Sequence, residues 1–395
     1  MLTLRRAILL GTALLQEPLV AQVARVARTL PQLAQPPVPS DPLELVTGSA
    51  QPVQDVSQRA EIINLLLNSH RLSNVQAQPY DLKTTFTASG SSSSSGVWQL
   101  EDISPGAGLY RWTAQGPNFS AVNLQANRIL YSSQPANSLP LRLLQVREAI
   151  FYSEPIVGPR ASLRTATGNI NGMDVVCALI SHNAPASGQT GGRRWDEEEY
   201  CVDPKAGTLM TYSLAPGLYV LYDYSKALQF HGKRIANKFT ITQAGQTVVE
   251  AQTESVTDPP NNPAAFQTAG LNQIGVGPVM SAPWHVRAMR PSPAAAPGGT
   301  EQIVVLHGVQ SPDGQLTEVE LLASSDATLN EPALATASKW VGGVMGQEPE
   351  PGATPQSHEV LMTVVFSTAV IRLRALWSLI SQRDQRIHVS RPMCR

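Results

Sequence analysis

The spacing of apolar residues changes period along this chain. Ile62, Leu65 and Leu66 fall on one face of a helix expected over 56–69. Beyond it the period drops to two. Leu82, Thr84, Phe86 and Ala88 share one face of an extended segment, and 97–100, 109–112, 121–124 and 129–132 continue as strands. A second helix is expected over 139–150. Strand patterning then resumes at 173–180, 199–202, 208–212, 219–224, 238–242 and 247–255, punctuated by turns such as Asp203-Pro204-Lys205-Ala206-Gly207 and Gln243-Ala244-Gly245-Gln246. The serine run between Gly90 and Gly96 reads as a hairpin loop, because no Lys or helix signal follows it to make a phosphate site. Many antiparallel strands with short turns and two helices predict one curved antiparallel sheet, a half-barrel around a helical plug.

A different order closes the chain. Ile303 to Val309 and 316–322 are apolar, β-branched runs joined across Ser311-Pro312-Asp313-Gly314-Gln315, which predicts a hairpin. Asn330 is placed to cap a helix and Pro332 to sit in its first turn. Leu334, Ala337 and Val341 then share a face beside Trp340, and a last strand follows over 358–366. The fold class is therefore α+β: a half-barrel with two helices, then a small β-β-α-β domain. The expected boundaries are 56–257 and 301–367. Proline-rich stretches at 22–55 and 258–300 read as linkers, with Trp284-His285 as an extra short strand of the C-terminal unit. Two separate cores are expected, with Trp340 buried in the smaller, and cleavage between Pro291 and Gly299 should release two stable pieces.

Both termini carry a signal. Arg5-Arg6 and the apolar run from Ala7 to Leu15 read as a signal peptide over 1–21 cleaved after Ala21, or else as an amphipathic helix. The run is shorter than the about 20 apolar residues a bilayer requires, so no transmembrane helix is expected. The tail at 368–395 holds Arg372, Arg374, Arg383, Arg386, Arg391 and Arg395 against Asp384. Such a basic tail either touches an anionic membrane surface or packs on the last strand.

Two family resemblances follow from these residues. Val305 to Val309, Asp313-Gly314, Val319 to Leu322, Ser324-Ser325, Leu329-Asn330, Ala333 to Ala337 and Trp340 resemble the C-terminal domain of TonB-type energy transducers. That likeness implies a module without catalytic residues, which binds an envelope protein partner by adding a strand to a sheet edge. The chain departs from the pattern before the first strand, where Pro291 to Gly299 is linker-like, and after Trp340, where Gly342-Gly343 and a loose 347–356 loop intervene. The larger unit is similar to LolA-like periplasmic lipoprotein carriers through its successive hairpins and the strand pair around Gln246 to Ala251. This second likeness implies a carrier of acyl chains or lipoproteins.

Composition narrows the classes. A net charge of −1 offers no global attraction for nucleic acid. Charged residues are 15% of the chain, against about a quarter usually, which leans toward an exported β-rich protein. Of three cysteines, Cys177 and Cys201 lie in or beside two expected strands and read as a disulfide in an exported chain, or as two buried thiols; Cys394 is left over. His358-Glu359 lacks a second His at metal-binding spacing, and neither a Gly-x-Ser-x-Gly elbow nor a Walker A loop occurs. Trp195-Asp196-Glu197-Glu198-Glu199 beside Arg193-Arg194 reads as a solvated loop with Arg–Glu pairing, with calcium binding the other reading. Phe86, Trp98, Trp112, Tyr219 and Tyr222 either line a cavity open to acyl chains or form plain core. No catalytic residue, cofactor or metal is expected. The chain reads as a non-enzymatic cell-envelope protein of the periplasm, a TonB-like transducer or binding component, or alternatively a periplasmic carrier of acyl chains or lipoproteins.

Overall fold

The computed structural model describes residues 50–367 apart from 91–93, 135–138, 153, 156, 160, 183–192, 195–196, 277–283, 292–301, 312–313 and 340–356. The expected signal peptide, most of the first linker, Trp340, Cys394 and the basic tail lie outside the described residues.

Helix α1 (Val56–Ser73) starts where the Asp55 carboxylate accepts the Gln58 N–H at 2.8 Å, and it buries Ile62 and Leu66. Helix α2 (Leu141–Ile150) follows Pro140 and is buried from Leu141 through Ala149, its polar residues included. In chain order the strands are β1 (Gln51–Pro52), β2 (Tyr80–Ala88), β3 (Gly96–Gly106), β4 (Leu109–Gly116), β5 (Phe119–Ala126), β6 (Ile129–Ser132), β7 (Ser162–Ile170) and β8 (Met173–Ser181). They continue with β9 (Glu198–Val202), β10 (Leu209–Ala215), β11 (Leu218–Asp223), β12 (Leu228–Phe230), β13 (Lys233–Ile235), β14 (Lys238–Gln243), β15 (Gln246–Thr257) and β16 (Asn272–Val276). All but β12 and β13 join one 14-stranded sheet in the order β1-β7-β8-β9-β10-β11-β14-β15-β2-β3-β4-β5-β6-β16. The antiparallel pairing of β15 with β2 joins its two halves.

Curvature follows from reach. Side chains of the ten-residue α2 bond to β3 through Asp102 and to β10 through Tyr212, five strand spacings apart in the sheet order. Laid flat, that span would be about 24 Å. A helix with its side chains is only about 10–12 Å wide, so the sheet must curl around it.

The C-terminal sheet has the order β17-β20-β18-β19, from β17 (Trp284–Pro291), β18 (Gln302–Gln310), β19 (Leu316–Ser324) and β20 (His358–Ser367). Helix α3 (Asn330–Ala337) lies between β19 and β20 in the chain, giving the expected β-β-α-β order. Two expectations need correction. Asn330 is already helical, and the capping role falls to Asp326, which accepts the Thr328 N–H at 2.9 Å in a preceding 3-10 turn. The stretch read as a linker over 258–300 contributes two strands. β16 pairs with β6 at the sheet edge, and β17 runs parallel to β20 over its whole length. Prolines punctuate that stretch, but both strands are free of them up to the terminal Pro291, so nothing blocks ladder pairing.

Strands β18 and β20 are buried on both faces. Val304, Leu306, Met362, Val364 and Phe366 pack with Ala333 and Ala337 of α3. On the opposite face Ile303, Val305, Leu361 and Val365, together with Leu322, belong to the main core of the large sheet. The small core expected for this unit is present, and the sheet's other face joins the main core as well. The approach is close: Gly217, at φ +82° in the β10–β11 turn, leaves room for no Cβ, which would lie 2.1 Å from the Leu322 carbonyl oxygen.

Candidate functional site

Helix α2 and the sheet wall around it bring most of the buried polar chemistry together. Arg147 donates from Nη1 to Asp102 Oδ1 at 2.7 Å and from Nη2 to the Tyr110 hydroxyl, which in turn donates to Asp102. Its guanidinium lies 4.4 Å from the Trp112 ring centroid, a cation–π contact. Burial pushes the Asp102 carboxyl upward, with Arg147 and Tyr110 pulling the other way. Burial opposes the charge on Arg147 most strongly, but Asp102 and Tyr110 together outweigh it and the group stays cationic. On the far side Glu148 accepts from the Tyr212 hydroxyl at 2.9 Å, and Tyr222 donates to the Ala149 carbonyl at 2.7 Å. Tyr152, Tyr200, Tyr212, Tyr222 and Tyr224 form a contiguous aromatic group there. Burial raises the hydroxyls of Tyr152, Tyr222 and Tyr224 above the usual phenol range, so they remain donors.

The N-terminal end of α2 meets the C-terminal sheet. Arg142 donates to the Ser89 carbonyl, Gln145 and Gln243, and its Nη2 reaches both Glu320 oxygens at 2.9 and 2.7 Å. The Leu141 N–H points at Glu318 Oε2, 3.4 Å away, and Gln145 Nε2 lies 3.2 Å from His307 Nδ1. His307 Nε2 in turn sits 2.6 Å from Glu359. Glu318 adopts φ 51° in a bulge opposite Gly308, a left-handed conformation unusual for Glu that accompanies its reach to α2.

Of the five aromatic residues suggested for a cavity, four face the helices. Phe86 and Trp98 are cross-strand partners with ring centroids 5.5 Å apart and an interplanar angle of 7°, and Trp98 donates to the Ser94 carbonyl. Trp112 lies under Arg147, and Tyr222 belongs to the tyrosine group. Tyr219 is on the other face of β11, with Arg193 5.4 Å from its ring. Strand residues three apart point to opposite faces, so Tyr219 and Tyr222 cannot share a wall. All five are buried.

That other face carries an ionic layer whose burial the sequence did not announce. Cys177 and Cys201 are direct partners across β8 and β9 and form a disulfide, with Cα atoms 4.0 Å apart. Beside them Arg193 bonds Glu199 at 3.3 Å and Ser213 at 2.6 Å. Glu197 takes Arg164 from Nε and Nη2, and Arg194 from its backbone N–H and Nε. Arg–Glu pairing was expected here, but in a solvated loop. Arg193, Glu197 and Glu199 are 1% exposed or less. Glu199 lies with both cysteine sulfurs in one cluster, but those sulfurs are bonded to each other.

No helix among the described residues is long and apolar enough to cross a membrane. No protein-family model and no curated protein matches the chain. It is similar to a LolA superfamily protein from Nitrosomonas europaea at 11% identity and a TM-score of 0.35, over 52% of this chain and 96% of that one. A putative outer membrane lipoprotein-sorting protein domain from Vibrio parahaemolyticus is similar at 9% identity and 0.33, over 52% and 95%. LprF from Mycobacterium bovis is similar at 11% identity and 0.23, over 54% and 98%.

Proposed function

We propose that this protein is a non-enzymatic carrier of the periplasm or cell envelope, sheltering an acyl chain between its helices and the inner face of the curved sheet. The observation that carries the reading is the nature of α2. A helix buried on every side yet bearing Arg142, Gln145, Arg147 and Glu148 is tied to its wall largely by hydrogen bonds. A hydrogen bond broken when the helix moves can be remade to water or to a polar lipid head, at a net cost of about 0.5–1.5 kcal/mol for a neutral pair. The wall left behind would be largely aromatic and aliphatic, with Phe86, Trp98, Trp112 and Tyr222 facing the space the helix fills. The disulfide supports an oxidising compartment and therefore export.

The TonB-like reading has less behind it. It needs an open strand edge, and β19 is a candidate because it lies at one side of its sheet. Yet that strand is bulged at Glu318, and Glu318 and Glu320 turn toward α2, which disfavours an added strand. Native mass spectrometry of the full chain after incubation with oleic acid and with a diacyl phospholipid tests the carrier reading. One-to-one complexes are expected. A chain that retains neither is not a carrier of acyl chains.

A further inference from the structure

We infer that the inner face holds a headgroup site, Asp102, Trp112 and Asn123, selective for an uncharged lipid head that carries both a carbonyl oxygen and a hydroxyl. The inference rests on the carrier reading and deepens it. The three residues are consecutive cross-strand partners: Asp102 opposes Trp112 across β3 and β4, and Trp112 opposes Asn123 across β4 and β5. Directly opposed side chains start about 5 Å apart, so the three form one row. Each is at most 5% exposed. Asp102 Oδ2, Trp112 Nε1 and Asn123 Nδ2 each lack a hydrogen-bond partner among the described residues.

Three adjacent orphaned polar atoms are unusual, since buried donors and acceptors are nearly always matched. They carry uncompensated desolvation, which a ligand supplying the missing partners would relieve. Their chemistry selects the head. Two N–H donors call for oxygen acceptors, as in an ester or amide carbonyl, and the free Asp102 oxygen calls for an O–H or N–H donor. A monoacylglycerol head offers both. A free fatty-acid carboxylate has no donor to give and meets the Asp102 charge. Arg147 lies against this row and on α2, so displacing that helix is what would admit the head.

Titration of the full chain with 1-monooleoylglycerol and with oleic acid, the same acyl chain on two heads, tests the site. The glyceride should bind about tenfold more tightly, a difference of one well-made hydrogen bond. Asn123→Leu should remove most of that preference while leaving oleic acid affinity unchanged, and Trp112→Phe should narrow the preference as well. Asn123→Leu should not lower the melting temperature of the free protein, because it deletes an unpaired donor and keeps the branched skeleton of the side chain. If both lipids bind equally and the variants are silent, the headgroup site is wrong and the carrier reading stands. If neither lipid binds, both fall. A loss of affinity for both lipids together in Asn123→Leu would mark the row as structural and overturn the inference.

Discussion

At the scale of the residue, the buried charges are where the sequence was least legible. Glu197 accepts from two arginines and a backbone N–H with its side chain out of solvent. Removing one partner from such a network leaves the others charged and buried, which costs about 3–5 kcal/mol. Glu197→Ala should therefore lower unfolding stability by about that amount in urea titrations, whereas a change within about 0.5 kcal/mol would mean the layer is solvated after all. The sequence announced the pairing through Arg193-Arg194 and Glu197 to Glu199. It could not announce the depth, because nothing in the residues says the segment lies down on a sheet. Tyr219 and Tyr222 are the opposite case: their odd spacing already placed them on different faces.

His358 adds a pH dependence of known sign. Burial pushes its pKa from 6.5 down to about 4. Above pH 6.5 the imidazole is neutral in both folded and unfolded chains, and its contribution is complete. Between pH 6.5 and 4 the unfolded chain takes up a proton that the folded chain refuses, so stability falls as the pH falls, by up to roughly 3 kcal/mol. Urea unfolding at pH 7.5 and 4.5 should show a smaller drop for His358→Gln than for the parent. Equal drops would assign the acid sensitivity elsewhere.

Elements were easier to read than their partners. Both inner helices and most of the strands of the large sheet lie where the apolar period placed them, because local alternation reports which face is covered. The exceptions in that sheet are β1, β7 and β16, while β17 extends the short strand expected at Trp284-His285. The helical plug was expected, but nothing in the period of α2 says what would match Arg142, Arg147 and Glu148 once it is buried. The β8–β9 pair offers a test at this scale. The disulfide closes a loop of sequence separation 24, for which loop entropy gives about 3.5 kcal/mol. The double variant Cys177→Ala with Cys201→Ala should unfold at correspondingly lower urea, and reduction of the parent should reproduce it. If reduction leaves the midpoint unchanged, the bond contributes nothing beyond the packing of its two strands.

For the whole molecule, the question is whether the C-terminal sheet is a separable unit, as its proline-rich approach suggested. Ile303, Val305, Leu322, Leu361 and Val365 are buried in the core of the large sheet. At roughly 2 kcal/mol for each buried side chain, undocking would cost on the order of 10 kcal/mol. That is comparable to the entire stability of an ordinary domain, about 5–15 kcal/mol. A unit held so strongly does not melt alone. Calorimetry of the full chain should show one transition, and a protease that cuts between Pro291 and Gly299 should leave two fragments that still elute together. Gly217→Ala probes the contact itself, because the added methyl would drive into the Leu322 carbonyl from a backbone conformation that already disfavours alanine. It should lower the midpoint of that single transition by several degrees without splitting it. Two resolved transitions in the parent would instead make the C-terminal sheet an independent domain that merely rests on the half-barrel, and would return weight to a strand-pairing role for it.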